Sequence, residues 1–104
     1  MDKFKIQITK SAENDLRDIA RYLSAQLNAP ITAFNMLQMI KKSIAELKTA
    51  ALIHSLVRDD RLAALGYRQL IIKNYIVFYI VNQKEKVVFI ERIIHGRRDW
   101  KNIL

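Results

Sequence analysis

Ile94-His95-Gly96-Arg97-Arg98-Asp99-Trp100 gathers one imidazole, two guanidiniums, one carboxylate and one indole close to the C-terminal end of the chain. These groups suit phosphate chemistry. His95 can serve as acid or base, because imidazole is the side chain whose ordinary pKa lies near neutrality. Arginine binds phosphate through two parallel N–H donors. An indole can stack on an unpaired base. Cleavage of RNA by its own 2′-hydroxyl needs a base, an acid for the leaving 5′-oxygen, and cations for the charge that builds on phosphorus. By residue type, His95 is the acid or base, Arg68, Arg92, Arg97 and Arg98 are the phosphate contacts, and Trp100 or Tyr67 is the stacking platform. The bland reading is a solvated basic end that Trp100 anchors to the domain.

Other chemistries find little material. The chain has no cysteine, so it has neither disulfides nor thiolate metal ligands. Its two histidines, His54 and His95, are far apart and share no paired-ligand spacing. Gly66 and Gly96 are the only glycines, too few for a glycine-rich phosphate loop. Nothing places a serine near His95. Asp59 and Asp60 are adjacent, and adjacent side chains on an extended segment point apart. The expectation is a site with no metal and no cofactor.

The site must be carried by the elements before it. Lys3-Phe4-Lys5-Ile6-Gln7-Ile8 alternates polar and apolar residues, which predicts a half-buried strand with Phe4, Ile6 and Ile8 inward. Thr9 or Ser11 can cap a helix, with Glu13 and Asp15 in its first turn, where the helix dipole favours carboxylates. Ala12, Leu16, Ile19, Ala20, Leu23 and Leu27 form one apolar stripe. Pro30 opens a second helix, whose stripe is Ala33, Leu37, Ile40, Ile44 and Leu47, widened by Phe34 and Met36. The short connection makes the two helices an antiparallel hairpin. Leu62 to Leu65 predicts a short helical turn that Gly66 ends.

From Tyr67 the period changes to that of strands. Tyr67 to Ile72 is followed by a tight turn at Lys73-Asn74, with Asn74 suited to the left-handed conformation. Tyr75 to Val81 is apolar on both faces and predicts the central strand. Val87 to Ile94 forms the next strand, interrupted by Glu91 and Arg92. Strict alternation puts Arg92 on the face opposite His95, so the two share a site only at the strand end or through a bulge. Otherwise Arg92 pairs with a carboxylate such as Glu91 or Asp99. The fold expected is α+β: a two-layer sandwich of strand, two helices and three antiparallel strands, in one domain spanning residues 1–104.

Charge adds a partner class. The formal net charge is +8, and the segment from Arg61 onward has nine basic residues against three acidic ones. A domain this basic is expected to bind a polyanion or an acidic protein. Met1 to Ile6 has no apolar core of a secretory signal, and the longest apolar run, Tyr75 to Val81, suits a strand and not a membrane span. The expected location is the cytoplasm.

Four stretches together carry a family resemblance. They are Ala12-Glu13-Asn14-Asp15-Leu16-Arg17-Asp18-Ile19 with Tyr22, Gly66-Tyr67-Arg68-Gln69-Leu70, Asn74-Tyr75-Ile76-Val77-Phe78-Tyr79, and Arg92 through Trp100. In this order and spacing the chain resembles the RelE/ParE superfamily, the toxins of type II toxin–antitoxin pairs. The resemblance implies a cognate acidic antitoxin and one of two targets. RelE-like members cut mRNA in the ribosomal A site, without metal, through cationic and aromatic side chains. ParE-like members poison DNA gyrase and need no nuclease site. The two-helix hairpin and the His95-x-Arg97-x-Asp99 pattern look ParE-like. The positive charge, Arg68 after Tyr67, and the arginine-rich end closing on an aromatic look RelE-like. Trp100 stands where RelE-like nucleases carry a tyrosine, and paired lysines before the second strand are missing. The expectation carried forward is ribosome-dependent mRNA cleavage by a metal-independent endoribonuclease. His95, Arg97 and Arg68 would be catalytic, and Arg61, Arg68, Arg92, Arg98, Trp100 and Lys101 would contact nucleic acid. The alternatives are a gyrase inhibitor of ParE type, or a degenerate member that binds only an antitoxin.

Overall fold

A computed structural model of the chain describes residues 3–104. Strand β1 (Lys5–Ile8) leads into helix α1 (Lys10–Arg21). Thr9 caps that helix: its Oγ1 accepts the Ala12 N–H at 3.2 Å and donates to the Ile90 carbonyl at 2.9 Å, so one hydroxyl starts the helix and ties it to the sheet. A π-helical turn (Tyr22–Gln26) extends α1, closed by the Leu27 N–H on the Tyr22 carbonyl. Helix α2 (Pro30–Ala50) begins on its proline as expected. Short helix α3 (Asp60–Ala64) is capped by Asp59 and stops at Gly66, whose φ of +92° a residue with Cβ adopts only with strain.

Three strands follow: β2 (Arg68–Ile72), β3 (Tyr75–Asn82) and β4 (Val87–His95). The chain closes on α4 (Trp100–Ile103). The sheet order is β1-β4-β3-β2. The β2–β3 and β3–β4 pairs are antiparallel, as the short turns require. β1 instead lies parallel to β4, with Lys5 opposite Val87 and Ile8 opposite Ile90. The helix hairpin between them supplies the long crossover that a parallel pair needs. In the β2–β3 turn the left-handed residue is Lys73, φ +55°, and not Asn74; the Asn74 carbonyl instead accepts the Gly96 N–H at 2.8 Å.

Each face of the sheet has its own core. The helix hairpin packs on one face, bringing Ile19, Leu23, Ile40, Ile44 and Leu47 onto Val77, Tyr79, Val88, Ile90 and Ile93. Burying a side chain of this size contributes roughly 1.5–3 kcal/mol each, so this face holds most of the stability. The other face has a smaller cluster of Val57, Leu62, Phe78 and Ile94, covered by Tyr67, Trp100 and the end of the chain. Both apolar stripes are seen, except that Leu27 and Phe34, on either side of the turn into α2, are exposed. Among the described residues no helix is long and apolar enough to cross a membrane.

Candidate functional site: the cleft at the end of β4

β1 ends at Ile8 opposite Ile90, so the second half of β4 has no strand on that side. Helix α1 lies there instead, and its Asp15 fills the gap. Asp15 is 7% exposed, and its two oxygens accept the Arg92 guanidinium at 2.7 and 2.9 Å. One of them also accepts the Ile93 N–H at 2.8 Å, a donor that a fifth strand would otherwise satisfy. The strand has a register shift at this point: Phe78 faces Arg92 while Tyr79 faces Ile90, leaving Glu91 as the extra residue of a β-bulge. The carboxylate hydrogen bond, more than the accompanying charge, holds the Arg92 pKa above its usual range. The partner of Arg92 is therefore neither Glu91 nor Asp99, and Asp15 is a buried tie and not a solvated first-turn carboxylate.

Beside this tie lies a cleft of about 720 Å³, between the π-helical end of α1, the start of α2 and the ends of β3 and β4. Tyr22, Leu27 and Met36 form its helical wall, and Tyr75, His95 and Arg98 lie on the strand side. His95 and Tyr75 face each other across the β3–β4 ladder, with ring centroids 5.4 Å apart in an edge-to-face pair. The Arg97 N–H donates to His95 Nδ1 at 3.2 Å. In the neutral ring that contact leaves the proton on Nε2. Burial first, and the nearby Tyr22 second, push the Tyr75 phenol up, so it is a hydrogen-bond donor at neutral pH. Arg97 and Arg98 are exposed along the cleft. Asp18, also on the cleft, pairs with Arg21 at 3.6 Å in solvent.

The other expected site residues are elsewhere. Arg68 Nη1 donates to the His54 carbonyl at 2.7 Å. Ile72, Tyr75 and His95 line up across three strands, and Arg68 is four residues along β2 from Ile72. That is about 13 Å along the strand and about 10 Å across, roughly 16 Å from His95. Next to Arg68, Tyr79 donates its hydroxyl to the Ala51 carbonyl at 2.8 Å, and burial, opposed by Arg68, pushes its pKa up to about 12.

Arg61, Trp100 and Lys101 sit on the opposite face of the sheet. Arg61 Nη2 donates to the Lys101 carbonyl at 2.9 Å, and Trp100 packs on Phe78 with centroids 5.2 Å apart. Tyr67 belongs to the same cluster, its phenol pushed up by burial and then by Glu91. The structure thus brings together His95, Arg97 and Arg98, commits Arg92 to Asp15, and separates Arg68, Arg61, Trp100 and Lys101. Sequence reasoning missed Asp15 and Tyr75 as cleft residues. Asp15 did carry a signal: it falls three residues after Ala12 and four before Ile19, on the apolar stripe itself. Among the described residues no three His, Asp or Glu side chains converge as metal ligands would.

Residues 6–100 match the family model described as the ParE toxin of the type II toxin–antitoxin system, parDE. No curated protein matches the chain. Among solved structures, the chain is similar to one from the chromosomal ParDE system of P. aeruginosa, with TM-score 0.73 and 21% identity over 89% of this chain and 96% of that one. It is also similar to one from the toxin–antitoxin complex RelBE2 of Mycobacterium tuberculosis, with TM-score 0.60 and 16% identity over 89% and 98%. A third likeness is to a double arginine-to-alanine mutant of E. coli toxin RelE in the free state, with TM-score 0.63 and 16% identity over 100% of both chains.

Proposed function

We propose a function from one premise: this chain belongs to the family of ParE toxins of type II toxin–antitoxin systems. On this reading it arrests cells by binding DNA gyrase, the target that the ParE side of the superfamily implies, and not by cutting RNA. The observation that carries the choice is the scatter of the groups RNA cleavage would need. His95 has Arg97 and Arg98 near it, but Arg68 lies roughly 16 Å away along the sheet and Trp100 is on the opposite face, packed on Phe78. Arg92 is spent on Asp15. The cleft offers a binding surface with aromatic, apolar and cationic parts, which suits recognition of a protein.

The partner in the same reading is an acidic antitoxin. A segment with apolar residues followed by carboxylates would cover Tyr22 and Leu27, 46% and 53% exposed, and neutralise Arg97 and Arg98. Ribosome-dependent mRNA cleavage is the second reading, supported by the contact of His95 with the Arg97 backbone and by the two arginines on one cleft.

One paired experiment separates them. The purified chain is added to gyrase with plasmid DNA, and separately to a translating extract read by primer extension. The expected result is gyrase-linked DNA breaks with intact transcripts. An Arg97→Gln, Arg98→Gln variant should need at least about tenfold more protein for the same effect, the usual cost of losing a pair of interface charges. Cut transcripts with unaffected gyrase would replace this reading with the second.

A further inference from the structure

The end of the sheet opposite the cleft collects positive charge from three separate parts of the chain. Parallel pairing sets Lys5 opposite Val87, and the Lys5 N–H donates to the Lys86 carbonyl at 2.9 Å. The Phe4 N–H donates to the Lys48 carbonyl at 2.8 Å, which brings the end of α2 to the same corner. Lys3, Lys5, Lys48, Lys84 and Lys86 are all exposed there. Among the described residues, the acidic ones next to these lysines in sequence are Glu85 on the β3–β4 turn and Glu46, two residues before Lys48. Among the described residues, lysines outnumber carboxylates at this corner and leave it cationic.

We propose that this lysine corner is a second interaction surface, one that holds the phosphate backbone of duplex DNA without reading its sequence. Three observations favour that partner. Lysine is a flexible point charge, suited to phosphates in varied positions and not to a fixed planar acceptor. Of the rings at this corner, Phe4 is 6% exposed with Lys86 Nζ 5.4 Å from its centroid, and Phe89, opposite Gln7, is half-buried, so neither stands clear for an unstacked base, as single-strand binding requires. The corner lies at the far end of β3 and β4 from the cleft, so a protein bound in the cleft leaves it open. The choice of DNA over duplex RNA rests on the gyrase reading, since a gyrase-bound toxin works beside duplex DNA.

The test uses the full chain, a short mixed-sequence DNA duplex and no gyrase, so its failure is distinguishable from failure of the gyrase reading. Fluorescence anisotropy is read across salt concentrations. Leaving out Lys86, whose ammonium already lies over the Phe4 ring, four lysine–phosphate contacts give a slope of about −3.6 in log K against log salt, about 150-fold weaker binding between about 50 and 200 mM. A Lys3→Gln, Lys5→Gln, Lys84→Gln variant should bring the slope to about −0.9, about 3.5-fold over the same range. The matching lysine-to-arginine variant should restore it, which shows that the charge and not the fold was lost. An unchanged slope, or a loss seen instead in Arg97→Gln, Arg98→Gln, overturns the proposal. So does duplex RNA binding tighter than DNA, or poly-glutamate binding through the same lysines while DNA does not.

Discussion

The two ends of the sheet use positive charge in opposite ways. At the cleft end, charge is held by geometry. Arg92 is fixed by two bonds to Asp15, and the backbone of Arg97 fixes the His95 ring. At the lysine end the lysines are exposed, with their charges on long stems. The difference teaches that net charge alone says little about where a basic protein does specific work. The cleft end has fewer cations but aromatic and apolar walls to orient a partner. The lysine end has more lysines, each a flexible point charge suited to phosphates in varied positions.

Substitutions can break or sharpen that contrast. The largest effect belongs to Asp15. Asp15→Ala strands the Arg92 guanidinium and leaves the Ile93 N–H unpaired, and should lower unfolding free energy by about 3 kcal/mol in urea titration. Asp15→Asn, which still accepts one bond, should cost less. If both variants unfold like the wild type, the cleft end is not held by this tie.

Next in size is alkaline stability. The Tyr79 pKa is raised in the folded chain from 10.0 to about 12, so its neutral phenol favours folding. That contribution is complete below pH 10, and falls away as pH rises toward 12, by about 2–3 kcal/mol. Denaturant midpoints measured across this range should fall in the wild type and fall less in Tyr79→Phe. The raised Tyr67 and Tyr75 leave some slope in the variant. A smaller loss of about 1 kcal/mol is expected for Thr9→Ala, which removes the cap of α1 and its bond to β4. At the bottom of the scale, Lys3→Gln, Lys5→Gln and Lys84→Gln together should change stability by no more than about 0.5 kcal/mol each while changing salt-dependent binding. A large stability loss there would mean that the lysine end is built, like the cleft.

Local signals made much of the fold readable. Thr9 before an apolar stripe, Pro30 at a helix start, Gly66 after a helical turn and the two-faced apolar run of β3 each act within a few residues, and each is found where expected. The family motifs were readable because they also lie within short stretches. What could not be read were contacts set by register over long separations. Asp15 meets Arg92 across 77 positions, beside the bulge at Glu91. Arg68 and His95 look like neighbours as residue types, but four residues along a strand and two strands across keep them apart. The lysine corner was invisible for the same reason: its members come from the first strand, the end of α2 and the last turn. Trp100 was open between stacking platform and anchor, and which neighbour it would pack on, Phe78, lay 22 positions away.

The parallel pairing of β1 with β4 has a consequence in time. β4 sits between β1 and β3, yet it is the last strand in chain order. A chain emerging from synthesis can form the helix hairpin and the β2–β3 ladder early, because those contacts are local. β1 must wait with its edge open for a partner 82 positions away, as the Lys5–Val87 register shows. Both the cleft and the lysine corner include β4 or the turn before it. Neither surface exists on the unfinished chain, so the protein acquires its capacity to bind in a single late step, when the final strand slots into the middle of the sheet.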